Sequence, residues 1–149
     1  MHRMATEYRH EYVSGVVTVP GLPAAITAYV ANRGAIRGRA RVLIRSDKAV
    51  IFDSEDSVDI ENGVVEPGEV WRLSEPDLPR GVDATSVDYW VEILTTSPDL
   101  VPSLAVEETV WVDGEAQLRV CAYFAPGDFA VFPLHPVPSH APGGLPVEA

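Results

Sequence analysis

Four arginines alternate with other residues between Ile36 and Ser46, and they form the segment of this sequence best suited to binding an anion. Side chains of a strand point alternately to opposite sides, so the pattern predicts a half-buried β-strand with the arginines on its outer face. The row would extend over roughly 27 Å and consists of Arg37, Arg39, Arg41 and Arg45. Like charges in a row repel unless acidic groups lie opposite them.

Two interpretations of this arginine strip remain open. Acids of neighbouring strands can pair with it, and the available ones are Glu69, Glu75, Asp88 and Glu92. Alternatively, the strip docks an acidic surface of a protein partner or of a second copy. The excess of acids in the chain favours internal pairing.

An acidic stretch after the strip could supply oxygen ligands for calcium, from Asp53, Glu55, Asp56 and Asp59. It lacks the Asp-x-Asp-x-Asp-Gly order and the distant bidentate glutamate of a calcium loop. We therefore expect a solvated acidic loop and no cofactor, with calcium as the alternative.

Three tryptophans and one cysteine complete the candidates. We predict that Trp71 and Trp90 fill the core between sheets. Trp111 shares its face with polar residues, which predicts partial exposure. It could contact a protein, stack on a sugar, or pack under a loop or the tail. Cys121 has no histidine, lysine or helix start near it in sequence, so we expect a buried, unreactive thiol.

Catalytic signatures are absent from the sequence. The histidines, His2, His10, His135 and His140, all lie in the terminal segments, so the body of the protein lacks the commonest general base. No nucleophile elbow, phosphate-binding glycine loop or Cys/His metal spacing is present. We therefore expect a non-catalytic protein, the remaining catalytic alternative being a hydrolase whose site is shared between subunits.

The elements that position these residues are short strands separated by turn signals. We predict strands at residues 11–19, 24–32, 36–46, 49–52, 70–74, 86–96, 104–112, 115–124 and 129–134. Asp113-Gly114 is a dipeptide typical of a two-residue type I′ hairpin. Eight or nine strands without helical periodicity predict an all-β, antiparallel sandwich of the immunoglobulin/fibronectin-III type.

Turn motifs add a family resemblance over about residues 16–97. Val19-Pro-Gly-Leu-Pro, the run Ala28-Tyr-Val-Ala-Asn-Arg-Gly34 and the turn Val65-Glu-Pro-Gly-Glu69 resemble bacterial cell-adhesion-related (CARDB) domains. The resemblance implies a fibronectin-like sandwich with a binding or spacer role and no catalytic residues. Most such domains are secreted and tandem, whereas this sequence shows one sandwich and an additional hairpin at 104–124.

Charge and composition restrict the partners. A formal net charge of -11 argues against nucleic acid and anionic membranes, which both require a positive surface. No apolar run is long enough for a secretory signal or a membrane span, so we expect a cytoplasmic protein. We predict a flexible arm at residues 1–10, one sandwich domain at 11–134 and an extended Pro/Gly-rich tail at 135–149.

The sequence thus favours an interaction or assembly module that self-associates or docks on a protein through the arginine strip and Trp111. A carbohydrate- or calcium-binding accessory module is the alternative.

Overall fold

The computed structural model describes residues 8–19, 24–46, 49–56, 63–73 and 87–134, and over these residues the chain is an all-β sandwich of two antiparallel sheets. The predicted fold class is confirmed at this level. The predicted tail at 135–149, the segment at 75–85 between the predicted strands 70–74 and 86–96, and the first seven residues of the predicted arm lie outside the described residues. Within the described residues, no helix has the length and apolar character needed to cross a membrane.

The described residues form eleven strands, more than the eight or nine expected, because short segments also join the sheets. In chain order they are β1 (His10–Val13), β2 (Val17–Val19), β3 (Ala24–Asn32), β4 (Gly38–Ser46), β5 (Ala49–Asp53), β6 (Val64–Val65), β7 (Val70–Leu73), β8 (Val87–Thr95), β9 (Leu100–Val112), β10 (Glu115–Phe124) and β11 (Ala130–Pro133).

The larger sheet has the order β11-β1-β8-β4-β5, with β2 also paired to β8 and β6 also paired to β4. The smaller sheet has the order β10-β9-β3-β7. Two single-turn 3-10 helices, Ser54–Asp56 and Pro126–Asp128, follow β5 and β10.

The core lies between the sheets and follows the two-residue period of the sequence. In β4 the alternate residues Ala40, Val42 and Ile44 are almost completely buried. They lie opposite Thr95, Ile93 and Val91 of β8. The smaller sheet supplies Ile26, Ala28, Val30, Leu104 and Val106 to the same core. Burial of such aliphatic side chains contributes about 1.5–3 kcal/mol each and is the main source of stability.

The predicted first strand, residues 11–19, is interrupted between β1 and β2. Ser14 lies at the interruption and is buried. Its amide donates to the Val91 carbonyl at 2.9 Å, and its hydroxyl accepts from the Val91 amide at 3.1 Å. The serine side chain thus satisfies a β8 amide where the strand is broken.

Two further boundaries differ from the sequence expectation. Ile36 lies in a bend before β4 and is 80% exposed, so the strand begins at Gly38. β9 begins at Leu100 and contains Pro102, which was expected to precede the strand. β9 pairs with β10 only as far as Leu104, so no strand lies beside Pro102 on the β10 side. The amide hydrogen that proline lacks is therefore not needed for a hydrogen bond to a neighbouring strand.

The hairpin between β9 and β10 has the predicted two-residue turn. Asp113 and Gly114 have φ values of 50° and 84°, the positive values that this turn requires. A β-bulge then interrupts β10 between Val120 and Ala122, with Cys121 as the extra residue. The bulge shifts the alternation by one residue, so that Ala122 and Phe124 pack against the core.

Asn32 joins the two sheets at one end of the sandwich. Its side-chain amide is buried and donates to the carbonyls of Ile36 and Val65, both at 2.9 Å, while its oxygen accepts from the Gly34 amide at 2.9 Å. Its backbone bonds the Pro-Gly turn, donating to the Glu69 carbonyl and accepting from the Gly68 amide. The two turn motifs of the sequence are therefore hydrogen-bonded to each other.

We expect Asn32→Ala to lower the free energy of unfolding by about 3 kcal/mol, because three hydrogen bonds are lost and their buried partners remain unsatisfied. Urea denaturation measures this loss. Arg33→Ala, at the exposed neighbouring position, is the control and should change stability by about 0.5 kcal/mol or less. Equal effects of the two substitutions would contradict a structural role for the amide.

Candidate functional site

The arginine strip lies on the outer face of β4 and, at Arg37, directly before that strand. Arg37, Arg41 and Arg45 each form an ion pair within the chain. Arg41 forms a two-pronged bond with Asp53, Nε to Oδ1 at 3.0 Å and Nη2 to Oδ2 at 2.6 Å. Arg45 bonds Glu92 at 2.7 Å, and Arg37 bonds Glu66 at 2.8 Å.

The remaining member of the strip, Arg39, is half-buried, and its backbone amide donates to the Thr96 hydroxyl at 2.9 Å. Leu43, on the same face as the arginines, is buried. The arrangement corresponds to the internal-pairing interpretation. Of the acids expected as partners, Glu92 is used, while Glu66, Asp53 and Glu55 are partners that the strand pattern did not indicate.

Arg41 and Asp53 form the most enclosed of these pairs, with side chains 29% and 16% exposed. The hydrogen bond from Arg41 holds the pKa of the Asp53 carboxyl below its ordinary value, although partial burial opposes this effect. The same bond raises the pKa of Arg41. Arg41 also approaches Glu55 at 3.5 Å, and Glu55 accepts a hydrogen bond from the Tyr8 hydroxyl.

Two of the four candidate calcium ligands take part in these ion pairs. Asp53 and Glu55 face Arg41, Asp56 is exposed in the 3-10 turn, and Asp59 lies outside the described residues. Within the described ranges no group of three or more His, Cys, Asp or Glu side chains is arranged to hold a metal ion.

One of the three tryptophans, Trp90, is placed differently from the sequence prediction. Trp71 is partly buried and packs against the core. Trp90 was expected in the core but is 36% exposed, because it lies opposite Arg45 on the outer face of the larger sheet. Trp111 is exposed as predicted, with 71% of its surface accessible.

A cluster of exposed apolar side chains surrounds Trp111 on the outer face of the β9–β10 hairpin. Register and the bulge place on this face Trp111, Leu118, Val120 and Tyr123, which are 71%, 63%, 56% and 59% exposed. We call these four residues the hairpin patch. Sequence reasoning identified only Trp111, although alternation within β10 up to Val120 could have identified Leu118 and Val120.

A polar network borders the hairpin patch on the same face. Glu107, opposite Val120, accepts hydrogen bonds from Thr27 at 2.7 Å and Tyr29 at 2.8 Å. Arg72 lies 3.4 Å from Glu107 and 5.9 Å from the centre of the Tyr29 ring. Burial raises the pKa of Tyr29, so this hydroxyl stays protonated at neutral pH. These contacts hold the polar side chains in place, whereas the apolar side chains of the hairpin patch beside them are exposed.

Cys121 is exposed, not buried as expected, because it is the extra residue of the bulge. Its sulfur lies 3.5 Å from Oε1 of Glu108, which also bonds Arg119. Partial burial and the Glu108 carboxylate raise the pKa of the Cys121 thiol. A raised pKa favours the protonated thiol, which is the less nucleophilic form.

His10 is also placed differently from the expectation. It belongs to β1, paired with β8 and β11, and not to a free arm. The other three histidines lie outside the described residues, so His10 is the histidine that the described part of the sandwich contains.

Glu11, the next residue of β1, lies on the outer face near Glu92. Burial raises the pKa of the Glu11 carboxyl, as does the neighbouring Glu92, while Arg45 opposes the shift.

The comparisons with known proteins give one distant structural match. The crystal structure titled Thermotoga maritima 1070 is 10% identical to this chain, with a TM-score of 0.49, over 80% of this chain and 97% of that one. No family model and no curated protein matches the chain. A likeness at this identity and score says nothing about what the chain binds.

We expect Asp53→Asn to lower the free energy of unfolding at pH 7 by about 1.5–3 kcal/mol, the contribution of hydrogen bonds to charged groups. Because the pKa of Asp53 is lowered in the folded protein, its contribution is present above the ordinary value of 3.8 and is lost as the pH falls through the folded value. The stabilities of the wild type and the variant should therefore become equal at low pH. Urea denaturation of both proteins from pH 7 to pH 2 tests this expectation. Asp56→Asn, in the exposed 3-10 turn, is the matched control and should have little effect.

We expect Glu11→Gln to stabilise the protein at pH 7 by about 0.5 kcal/mol or less, since solvent screens this half-exposed group. A carboxyl with a raised folded pKa stabilises the fold when protonated and loses that contribution as the pH rises through the folded value. Glutamine resembles the protonated form at all pH values. Thermal unfolding should therefore show a higher Tm for the variant at pH 7 and equal Tm values well below pH 4.5. A lower Tm at pH 7 would show that the attraction between Glu11 and Arg45 outweighs the repulsion from Glu92.

Proposed function

We propose that this chain is a non-catalytic interaction and assembly module of the immunoglobulin/fibronectin-III type, which self-associates through the β9–β10 hairpin. The fold type is supported by the contact between the Asn32 turn and the Pro67-Gly68 turn, the motifs that resemble CARDB domains. The association is supported by the hairpin patch.

The hairpin patch carries the proposal because four large apolar side chains on one surface are each more than half exposed. Contiguous apolar surface of this kind marks interaction sites in soluble proteins. Complete burial of each side chain would contribute about 1.5–3 kcal/mol, before the cost of association is subtracted.

The arginine strip is the secondary docking surface in this proposal. Arg37, Arg41 and Arg45 already bond carboxylates of the same chain, so a partner would have to displace or share those bonds. Arg37, whose side chain is 64% exposed, is the member most accessible to a partner. Association through the strip should weaken as salt rises, whereas association through the hairpin patch should persist.

Light scattering after size exclusion, over a range of protein concentrations, tests the proposal. We expect a mass above that of one chain, and we expect Leu118→Glu to shift the protein toward monomer because a carboxylate would be buried at the interface. Ile51→Glu is the matched control, since Ile51 is an exposed apolar residue on β5, an edge strand of the larger sheet and not of the sheet that contains the hairpin. A wild-type monomer at all concentrations would exclude self-association. Loss of association in Arg37→Glu but not in Leu118→Glu would assign docking to the strip.

A carbohydrate-binding module is the second candidate, because Trp111 offers an exposed aromatic ring at the tip of the hairpin. Calorimetric titration with a glycan panel separates the two functions. Binding that Trp111→Ala abolishes supports this candidate, and no binding by any glycan excludes it for the sugars tested.

A further inference from the structure

The geometry of the proposed self-association can be inferred from β10, which is the outer strand of the smaller sheet. On its far side β10 has no strand partner among the described residues. It has ten residues and contains neither proline nor lysine, the residues that commonly protect sheet edges. The other edge strands are shorter, with five residues in β5 and four each in β7 and β11.

The turn determines which backbone groups of β10 face the open edge. Val112 and Glu115 flank the two-residue turn and exchange hydrogen bonds in such a hairpin. Backbone groups of an antiparallel pair alternate in direction, so those of Gln117 and Arg119 also point to β9. The amides and carbonyls of Ala116, Leu118 and Val120 therefore point to the open edge.

The charges of β10 are self-complementary about Gln117. Glu115 and Arg119 lie two residues before and two residues after it, on the same face of the strand. If two β10 strands pair antiparallel with Gln117 at the centre, each Arg119 lies opposite Glu115 of the second copy. Arg119 also bonds Glu108 of its own chain through Nη2, and its guanidinium has five N–H donors, so one side chain can contact both carboxylates. The same register places Leu118 opposite Ala116 of the second copy, and both residues have their backbone groups at the open edge.

Local charge balance also favours a second copy. The chain has a formal net charge of -11, which opposes association of identical molecules. β10 itself contains one acid and one base, so its own charge is zero. The bulge at Cys121 ends the regular segment, because a bulge disrupts the hydrogen-bond ladder and increases the local twist.

We propose that two copies of this chain pair antiparallel along β10, with Gln117 opposite Gln117 of the second copy, to form one sheet of eight strands from two four-stranded sheets. This inference rests on the proposed self-association and specifies its edge and register. The twofold axis is perpendicular to the sheet, so the two hairpin patches become one surface on the same side of the dimer.

Disulfide cross-linking tests the register in a Cys121→Ser background, which removes the chain's cysteine from an exposed position. At the centre, residues 117 of the two copies form a pair with Cα atoms about 4.5 Å apart, within the range that a disulfide spans. Gln117→Cys should therefore give a covalent dimer under mild oxidation, seen on a non-reducing gel. Glu115→Cys in the same background is the matched control, because its two copies would lie roughly 14 Å apart.

The outcomes separate this inference from the proposed function. If light scattering shows a wild-type monomer, both the proposed self-association and the pairing along β10 are excluded. A wild-type oligomer in which neither Gln117→Cys nor Leu118→Cys cross-links leaves self-association in place and overturns pairing along β10. Cross-linking of Leu118→Cys alone keeps the edge but overturns the register.

A second measurement does not depend on a new cysteine. Glu115→Arg places like charges opposite each other at two positions of the proposed dimer, and we expect it to weaken dimerisation about tenfold. Sedimentation equilibrium measures the dissociation constant. An unchanged constant would contradict the register.

Discussion

The buried amide of Asn32 is the constraint on which the ends of both sheets depend. It lies at the end of β3 in the smaller sheet and donates to the carbonyl of Val65 in β6, which pairs with β4 of the larger sheet. No apolar residue of similar size could satisfy the two carbonyls and one amide that it bonds. The relative position of the sheets, and hence of every side chain on their outer faces, is fixed at this end by directional bonds as well as by apolar packing.

The two outer faces differ in how their side chains are satisfied. On the larger sheet, charged groups are paired across strands, as Arg41 is with Asp53 and Arg45 with Glu92. On the smaller sheet, Glu107 accepts hydrogen bonds from Thr27 and Tyr29 of β3. The β9–β10 hairpin next to it exposes apolar side chains. The exposed apolar surface therefore lies on the smaller sheet, whereas the arginine strip lies on the larger one.

The sequence predicted what depends on alternation and turn chemistry. The buried face of β4 and the turn at Asp113-Gly114 follow from neighbouring residues, and both were predicted correctly. Two of the wrong placements differ in cause, one having a local reason and one a distant reason. Trp90 was assigned to the core for its size although the alternation of β8 placed it outside. Pro102 is tolerated because β10 ends at Phe124, opposite Leu104, a fact that only the pairing of strands provides.

The bulge at Cys121 divides β10 into two halves that tolerate substitution differently. Beyond it, Ala122 and Phe124 pack against the core, so substitutions there change the stability of the whole domain. Before it, the residues from Glu115 to Val120 are exposed on both faces. Their side chains can vary without repacking the interior. One inserted residue thus lets a single strand combine a half that anchors the hairpin to the core with a half whose side chains leave the interior untouched.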